Sequence, residues 1–219
     1  MGYSRAGFDV VGVDIAPQPH YCGDEFIQAD VMDREDVRAE WMWTEFDAVH
    51  ASPPCQAYSD LASLAKDHHQ ALIGPVRELL ESTGLPCVIE NVEGAPLRNY
   101  VTLCGTSFGL ACDAGELWRH RRFEGIGFEW PTFVPQCAHR QHRRVLGVYG
   151  GGAEIRERDG RPVKRRGFHA SVGEAREVMG IDWMTGSELS QAIPPAYTKW
   201  IGEQLLAHVS ALPEQMKAP

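Results

Sequence analysis

Four side chains stand out for the chemistry they could do together. Cys55 lies in Ser52-Pro53-Pro54-Cys55-Gln56. The two prolines fix the backbone just ahead of the thiol. A thiol held rigidly beside a cleft can act as a nucleophile, whereas most buried cysteines are inert packing. Glu90 lies in VIENVEG. A carboxyl group closing an apolar strand is partly desolvated, which favours its protonated form. A thiol nucleophile and a protonatable carboxyl group are two halves of one reaction type. The nucleophile adds to an electron-poor ring, and the acid neutralises the negative charge that results. Asp14 and Asp30 each close a short apolar run. Asp14 is placed to accept hydrogen bonds from the ribose hydroxyls of a nucleoside cofactor, and Asp30 from an exocyclic amine. Each acid could equally serve as a helix cap or turn residue.

These positions take their meaning from the elements that carry them. FDVVGVDI (8–15) is short, β-branched and nearly unbroken in its apolar run, so it predicts a buried parallel strand. DEFIQADV (24–31) predicts a second strand, and FDAVHAS (46–52) a third that runs straight into PPCQ. LPCVIENV (85–92) predicts a fourth, ending in Glu90 and Asn91. Residues 33–43 predict a helix opened by acids that suit its N-terminus. Residues 69–80 predict another, with Leu72, Ile73, Val76, Leu79 and Leu80 on one face and Gly84 as its stop. Strands alternating with helices predict an α/β fold with a parallel sheet. Ligands of such sheets gather at the carboxyl ends of the strands, and all four candidates fall there.

From 113 to 170 the pattern dissolves into Gly, Arg and Pro, with short apolar runs such as RRVLGVYG. Order returns at Ser171. Ser171 with Glu174, and Thr185 with Glu188, fit capping boxes that open short helices. Pro194 and Pro195 precede a last helix on which Tyr197, Ile201 and Leu205 share a face. The tail from Pro213 is expected to be loose.

The chain has 219 residues, enough for one domain or one domain with a small appendage. Its 43% apolar and 23% charged content excludes a disordered, collagenous or coiled-coil chain as a description of the whole. No apolar stretch approaches the roughly 18 residues of a membrane span. No secretory leader is visible either, so a cytoplasmic location is expected. The net charge of −9 conceals a polarity. Residues 117–166 hold 12 of the 21 Lys and Arg but only 5 of the 30 Asp and Glu. A basic segment on an acidic body is either a footprint for a polyanion or a solvated arginine-rich loop. The six cysteines form no CxxC pair, which suits free thiols in a reducing compartment. Cys137, His139 and His142 cluster in CAHRQH but lack a second ligand pair of the right spacing, so no metal site is predicted. Cys104 and Cys112 read as packing.

SPPCQAYS, VIENVEGAP, RHRRFE and SQAIPPAYTKWIGEQL, in this order, resemble the ordered motifs of the DNA (cytosine-5-)methyltransferase family. The chain is most similar to the small versions encoded by phages, and the resemblance covers nearly its whole length. PCQ alone is a weak signal. PCQ followed by ENV, an arginine motif and a QAIPP helix is specific. The resemblance implies a Rossmann-like S-adenosylmethionine-dependent methyltransferase sheet with a small irregular target-recognition insertion. Residues 1–124 would form the catalytic core and 125–170 the target-recognition region. Residues 171–212 would return to the core with the last helix, and 213–219 would be the tail.

The resemblance also assigns roles. Cys55 would attack C6 of a cytosine flipped out of the duplex, and Glu90 would contact N3 and the exocyclic amine. Arg119 and Arg121 would orient the cytosine and the catalytic loop, with Arg121 in direct contact and His120 pointing away. C5 would then take the methyl group of S-adenosylmethionine, lose its proton and release Cys55. Closure of residues 56–67 would offset the few kcal/mol that flipping costs. Asp14 would bind the cofactor ribose and Asp30 its adenine. Ile15, Val31 and Pro54 join them as cofactor-binding positions, and Ala192, Ile193 and Pro194 line the cofactor pocket before the last helix. The expected partner is double-stranded DNA containing cytosine. Phosphate contacts by basic residues of 125–170 would make its affinity salt-dependent, and the small region implies a short recognised site. A monomer without membrane contact is expected. A companion restriction endonuclease cannot be read from the residues.

One departure carries its own expectation. The family opens with a strand and a Gly-rich FxGxG-type loop that cradles the methionine end of the cofactor. Here MGYSRAGF resembles the helix that follows that loop. The first strand is therefore expected to be missing, which would expose sheet edges, and cofactor binding by these 219 residues is expected to be poor. A misplaced start would make the protein roughly 15–20 residues longer. Alternatively, another chain supplies the strand, or the chain is a catalytically inactive DNA-binding remnant. A further alternative keeps the Cys55 chemistry but changes the methyl donor or takes a base outside DNA. The joint presence of Cys55, Glu90 and Arg121 favours an active enzyme over the remnant.

Overall fold

A computed structural model describes residues 1–33, 43–58, 70–140, 143–149, 157–158, 161–162 and 168–212. Its first half contains α1 (Gly2–Ala6), β1 (Val11–Asp14), β2 (Glu25–Gln28), β3 (Val49–Ala51), α2 (Ile73–Thr83), β4 (Cys87–Asn91) and β5 (Tyr100–Leu103). Short strands follow: β6 (Ala111–Cys112), β7 (Gly115–Leu117), β8 (Arg121–Ile126), β9 (Val145–Gly147), β10 (Glu157–Arg158), β11 (Arg161–Pro162) and β12 (Phe168–His169). Three helices close the chain: α3 (Val172–Met179), α4 (Gly186–Gln191) and α5 (Pro195–Ala211). The fold is mixed α/β. None of the described helices is long and apolar enough to cross a membrane.

The chain divides into two units that interleave along the sequence, whereas the sequence-based division is consecutive. The first unit comprises Met1–Thr102, His120–Val134 and Lys199–Pro219, and the second Leu103–Arg119 and Pro135–Thr198.

In the first unit β1 and β2 pair in parallel, with Asp14 opposite Gln28 at their carboxyl ends. A four-stranded sheet runs β3-β4-β8-β5. β3 and β4 are parallel, with Ala51 opposite Ile89. β4 is buried along its whole length, as its unbroken apolar start demands of a central strand. Helix α2 covers this sheet, packing Ile73, Val76 and Leu80 with Cys87 and Ile89. Gly84 ends the helix in the left-handed conformation, φ 70°, which glycine adopts without a steric penalty. Against α1, a Cβ on Gly202 of α5 would lie only 2.7 Å from Cβ of Ala6, so the two helices touch backbone to side chain.

The second unit carries a sheet in the order β12-β9-β7-β6. Leu117 and Leu146 from this sheet pack with Val178 and Met179 of α3 and Leu189 of α4. Both predicted capping boxes form. The Ser171 amide donates to Glu174 at 2.7 Å and the Glu174 amide to Ser171 Oγ at 3.3 Å, and Thr185 and Glu188 repeat the pattern.

Three expectations change. The sheet is mixed rather than parallel, because β8 returns antiparallel beside β4. The supposedly irregular stretch 113–170 contains β7 to β12. These strands span two to six residues, mostly too few for a period of two to show in sequence. The helix expected over 69–80 runs from Ile73 to Thr83. Pro75 accounts for the shift, since proline fits only the first turn of a helix. The helix expected over 33–43 lies mostly outside the described residues, where a 3-10 turn at Trp43–Glu45 resumes the chain. The tail from Pro213 also lies outside them.

Candidate active site

Parallel pairing of β3 with β4 brings two motifs to one end of the sheet. Ser52 to Cys55 leave the carboxyl end of β3, and Glu90 and Asn91 close β4 beside it. The carboxamide of Asn91, 1% exposed, donates from Nδ2 to the carbonyl of buried Pro53 at 2.8 Å. Its Oδ1 accepts from the Val92 amide at 3.0 Å. One side chain thus ties the cysteine turn to the neighbouring strand end.

The turn is held on a second side. The Tyr58 amide donates to the Cys55 carbonyl at 2.9 Å, closing a 3-10 turn over Gln56–Tyr58. The Tyr58 hydroxyl accepts from the Ile73 amide at 3.2 Å, at the start of α2. Gly94, just beyond Glu90, lets the turn come close: a Cβ there would lie 2.5 Å from the Tyr58 carbonyl oxygen. Cys55 itself is half-buried.

Glu90 is 6% exposed. Phe123 of β8 lies directly opposite it in register, so Arg121, two residues away, shares its face of the sheet. Arg121 Nε is 3.1 Å from Glu90 Oε1, and Arg121 Nη1 donates to the His120 carbonyl at 2.8 Å. Burial favours a neutral carboxyl group, but a guanidinium at this distance favours the carboxylate. Glu90 is therefore held between two opposing influences.

A polar chain missed by the sequence reading runs up β3. The Tyr3 hydroxyl bonds to His50 Nδ1, and His50 Nε2 lies 3.1 Å from Ser52 Oγ. With Tyr3 donating, Nδ1 accepts and Nε2–H donates to Ser52. Burial lowers the His50 pKa to about 4 and pushes the Tyr3 phenol up, so both groups are neutral near pH 7. The chain stops one residue before Pro53 and stiffens the base of the cysteine turn. Its signal was a histidine inside an otherwise apolar strand, FDAVHAS.

The expected cofactor positions of the first unit lie at the ends of β1 and β2. Asp14 Oδ1 accepts from the Ala16 amide at 2.8 Å, and Asp30 Oδ1 from the Met32 amide at 2.9 Å. One oxygen of each acid therefore serves its own turn. Ile15 beside Asp14 is 66% exposed. Val31 is half-buried and Pro54 exposed. A carboxylate beside an open apolar side chain is an acceptor and surface set that suits a ribose and its base.

The other expected positions belong to the second unit. Arg119 is 2% exposed. Its Nη1 donates to the Val148 carbonyl and its Nη2 to the Ser190 carbonyl at 2.8 Å. The Tyr197 hydroxyl donates to the Arg119 carbonyl at 2.6 Å. Arg119 thereby fixes the end of α4, directly ahead of Ala192, Ile193 and Pro194. Ala192 leaves the helix in an extended conformation, with its amide still bonded to Glu188. Ile193 is half-buried and Pro194 buried. Arg140, Arg143 and Arg144 are exposed. Most of the predicted closing loop, 59–67, lies outside the described residues, as do Arg156, Lys164, Arg165 and Arg166.

Comparison with protein-family models and with curated proteins finds no match to this chain.

Proposed function

We propose that this chain is a DNA cytosine C5 methyltransferase built on a Rossmann-like methyltransferase sheet. The observation that carries the reading is the lock between the Cys55 turn and the end of β4. Asn91 holds Pro53 at 2.8 Å, and Arg121 holds Glu90 at 3.1 Å. A nucleophile and a carboxyl–guanidinium pair are thereby fixed at one sheet end, which is what addition to an electron-poor pyrimidine requires.

In this reading the Cys55 thiolate forms a bond to C6 of a flipped cytosine. The electron pair of the C5–C6 double bond moves into the ring toward N3. Glu90 hydrogen-bonds N3, and Arg121 holds Glu90 in place and balances charge as the ring becomes negative. Such fixed charges act without reorganising during the step. C5 then carries enamine character. Bound S-adenosylmethionine would supply an electrophilic methyl carbon to it. Loss of the C5 proton to a solvent water re-forms the C5–C6 double bond as the C6–S bond breaks and expels Cys55 as thiolate. Asp14 and Ile15 would hold the cofactor ribose and base, with Asp30, Val31 and Pro54 near them. The basic residues of 125–170 would contact the phosphates of double-stranded DNA.

Addition at C6 also makes the C5 proton exchangeable without any methyl donor. Duplex carrying 5-tritiated cytosine should therefore release tritium with the wild-type chain and none with Cys55→Ala, and release should fall with Glu90→Gln. Added S-adenosylmethionine labelled in its methyl group, at concentrations high enough to offset the weak cofactor binding expected of these 219 residues, should place label at C5. DNA retention without tritium release or methylation would reject the enzyme and leave a non-catalytic DNA-binding chain.

A further inference from the structure

We propose that Cys104, Cys137 and His139 form a zinc site that fastens the segment around residues 135–140 to the rest of the second unit. Cys104 follows β5, and the other two lie more than thirty residues later in a stretch without regular secondary structure. Their ligand atoms all lie within 4.8 Å of one another. Cys104 Sγ is 3.2 Å from His139 Nε2. A tetrahedral ion with Zn–S about 2.3 Å and Zn–N about 2.0–2.1 Å sets neighbouring ligand atoms about 3.5–3.8 Å apart. The observed spacing brackets that range, so small side-chain movements would admit the ion.

The surroundings orient the three donors. The Trp118 ring stacks on His139 with centroids 3.9 Å apart and planes 12° from parallel. The Ala138 amide donates to Thr106 Oγ1 at 3.2 Å, and the Arg140 amide to Glu116 Oε1 at 3.0 Å. The backbone is therefore anchored on both sides of His139. Glu116 Oε1 also accepts from Trp118 Nε1 at 2.7 Å, which holds the stacking ring. Thr106 Oγ1 lies 3.3 Å from Cys104 Sγ. Supports of this kind fix the orientation of ligands and raise affinity.

The donor set selects the ion. Two thiolates and an imidazole suit zinc and exclude calcium and magnesium, which take oxygen ligands. Two thiolates also cancel the charge of a divalent ion. Cys104 is fully buried while Cys137 and His139 are exposed, so the site has a protected floor and an open mouth through which zinc can enter. The fourth position falls to water or a further donor. This inference does not depend on the methyl-transfer reading.

The test uses the full chain, reduced and isolated from zinc-supplemented cells. Elemental analysis should find about one zinc per chain, and a chelator should lower its melting temperature. Replacement by Co²⁺ should produce the visible bands of a tetrahedral site and a thiolate charge-transfer band. Cys137→Ser and His139→Ala, both at exposed positions, should keep the wild-type circular dichroism and lose the metal and its bands. Cys22→Ser, in the other unit, should keep both. Failure of the reduced chain to bind zinc or cobalt would overturn the proposal. So would undiminished binding by both variants, or a Cys104–Cys137 disulfide with no metal bound after its reduction.

Discussion

Removing the charge of Glu124 should destabilise the chain far more than removing Glu124 together with its partner. Arg77 of α2 and Glu124 of β8 are 6% and 2% exposed. Arg77 Nε donates to Oε1 at 2.6 Å and Nη2 to Oε2 at 2.8 Å, so the pair is bidentate. Each partner has one more bond: Arg77 Nη2 donates to the Pro96 carbonyl at 3.0 Å, and the Arg98 amide donates to Glu124 Oε2 at 2.7 Å. Taking two charges out of water consumes most of what their attraction returns. Breaking one partner leaves a buried charge without compensation, at about 3–5 kcal/mol. Glu124→Gln and Arg77→Met should each cost that much. Arg77→Met/Glu124→Leu replaces the pair with apolar volume, which by itself is neutral or stabilising. It orphans the Pro96 carbonyl and the Arg98 amide, both partly solvated, at about 1 kcal/mol each. The double variant should therefore lie about 0–2 kcal/mol below wild type and above both single variants. Urea unfolding of the four proteins measures this directly. Single variants costing under about 1 kcal/mol, or a double variant as unstable as the sum of the singles, would refute the reasoning. Because β8 also carries Arg121, the single variants should slow tritium release more than they weaken DNA binding.

Three other outcomes follow from the same geometry. His50 has an ordinary pKa of 6.5 and is held at about 4 by burial, so its neutral form stabilises the fold fully above pH 6.5. That contribution, at most about 3.4 kcal/mol at 1.36 kcal/mol per unit, is lost as pH falls from 6.5 toward 4. His50→Gln should flatten the urea midpoint over that range, and an unchanged slope would place His50 in water. Gly94→Ala puts a methyl group 2.5 Å from the Tyr58 carbonyl. It should cost about 1–3 kcal/mol and abolish tritium release by displacing the Cys55 turn, while DNA retention persists. Ser171→Ala removes the cap of α3 and should cost about 1 kcal/mol, read as a fall in melting temperature without loss of exchange.

Much of the local structure was legible because its causes are local. Short apolar runs with β-branched residues mark β1 and β4, which end at or beside Asp14 and Glu90, and Cys55 follows β3 by a four-residue turn. Gly84 stops α2, because a left-handed residue must follow. The capping boxes at Ser171 and Thr185 close over three residues. Tyr197, Ile201 and Leu205 lie on one helical face, and all three are buried. In each case the interacting groups lie within a turn or two along the chain, so spacing alone reveals them.

Tertiary structure decided the rest, through pairings between residues far apart in the chain. Glu90 meets Arg121 only because β8 comes back antiparallel beside β4. Nothing in RHRRFE distinguishes an arginine that pairs with a carboxylate from Arg119, whose charge is spent on the carbonyls of Val148 and Ser190. Cys104 reads as packing until the fold lays His139 against it, 35 positions later. Strands of two or three residues such as β6, β9 and β12 have too few side chains to display a period. They exist because neighbouring strands complete their hydrogen bonds. The residue types and their order determined which chemistry is available, since reactivity belongs to the side chain. The fold determined which of those side chains face one another, since charge and hydrogen bonding act over a few ångströms of space, whatever the separation in sequence.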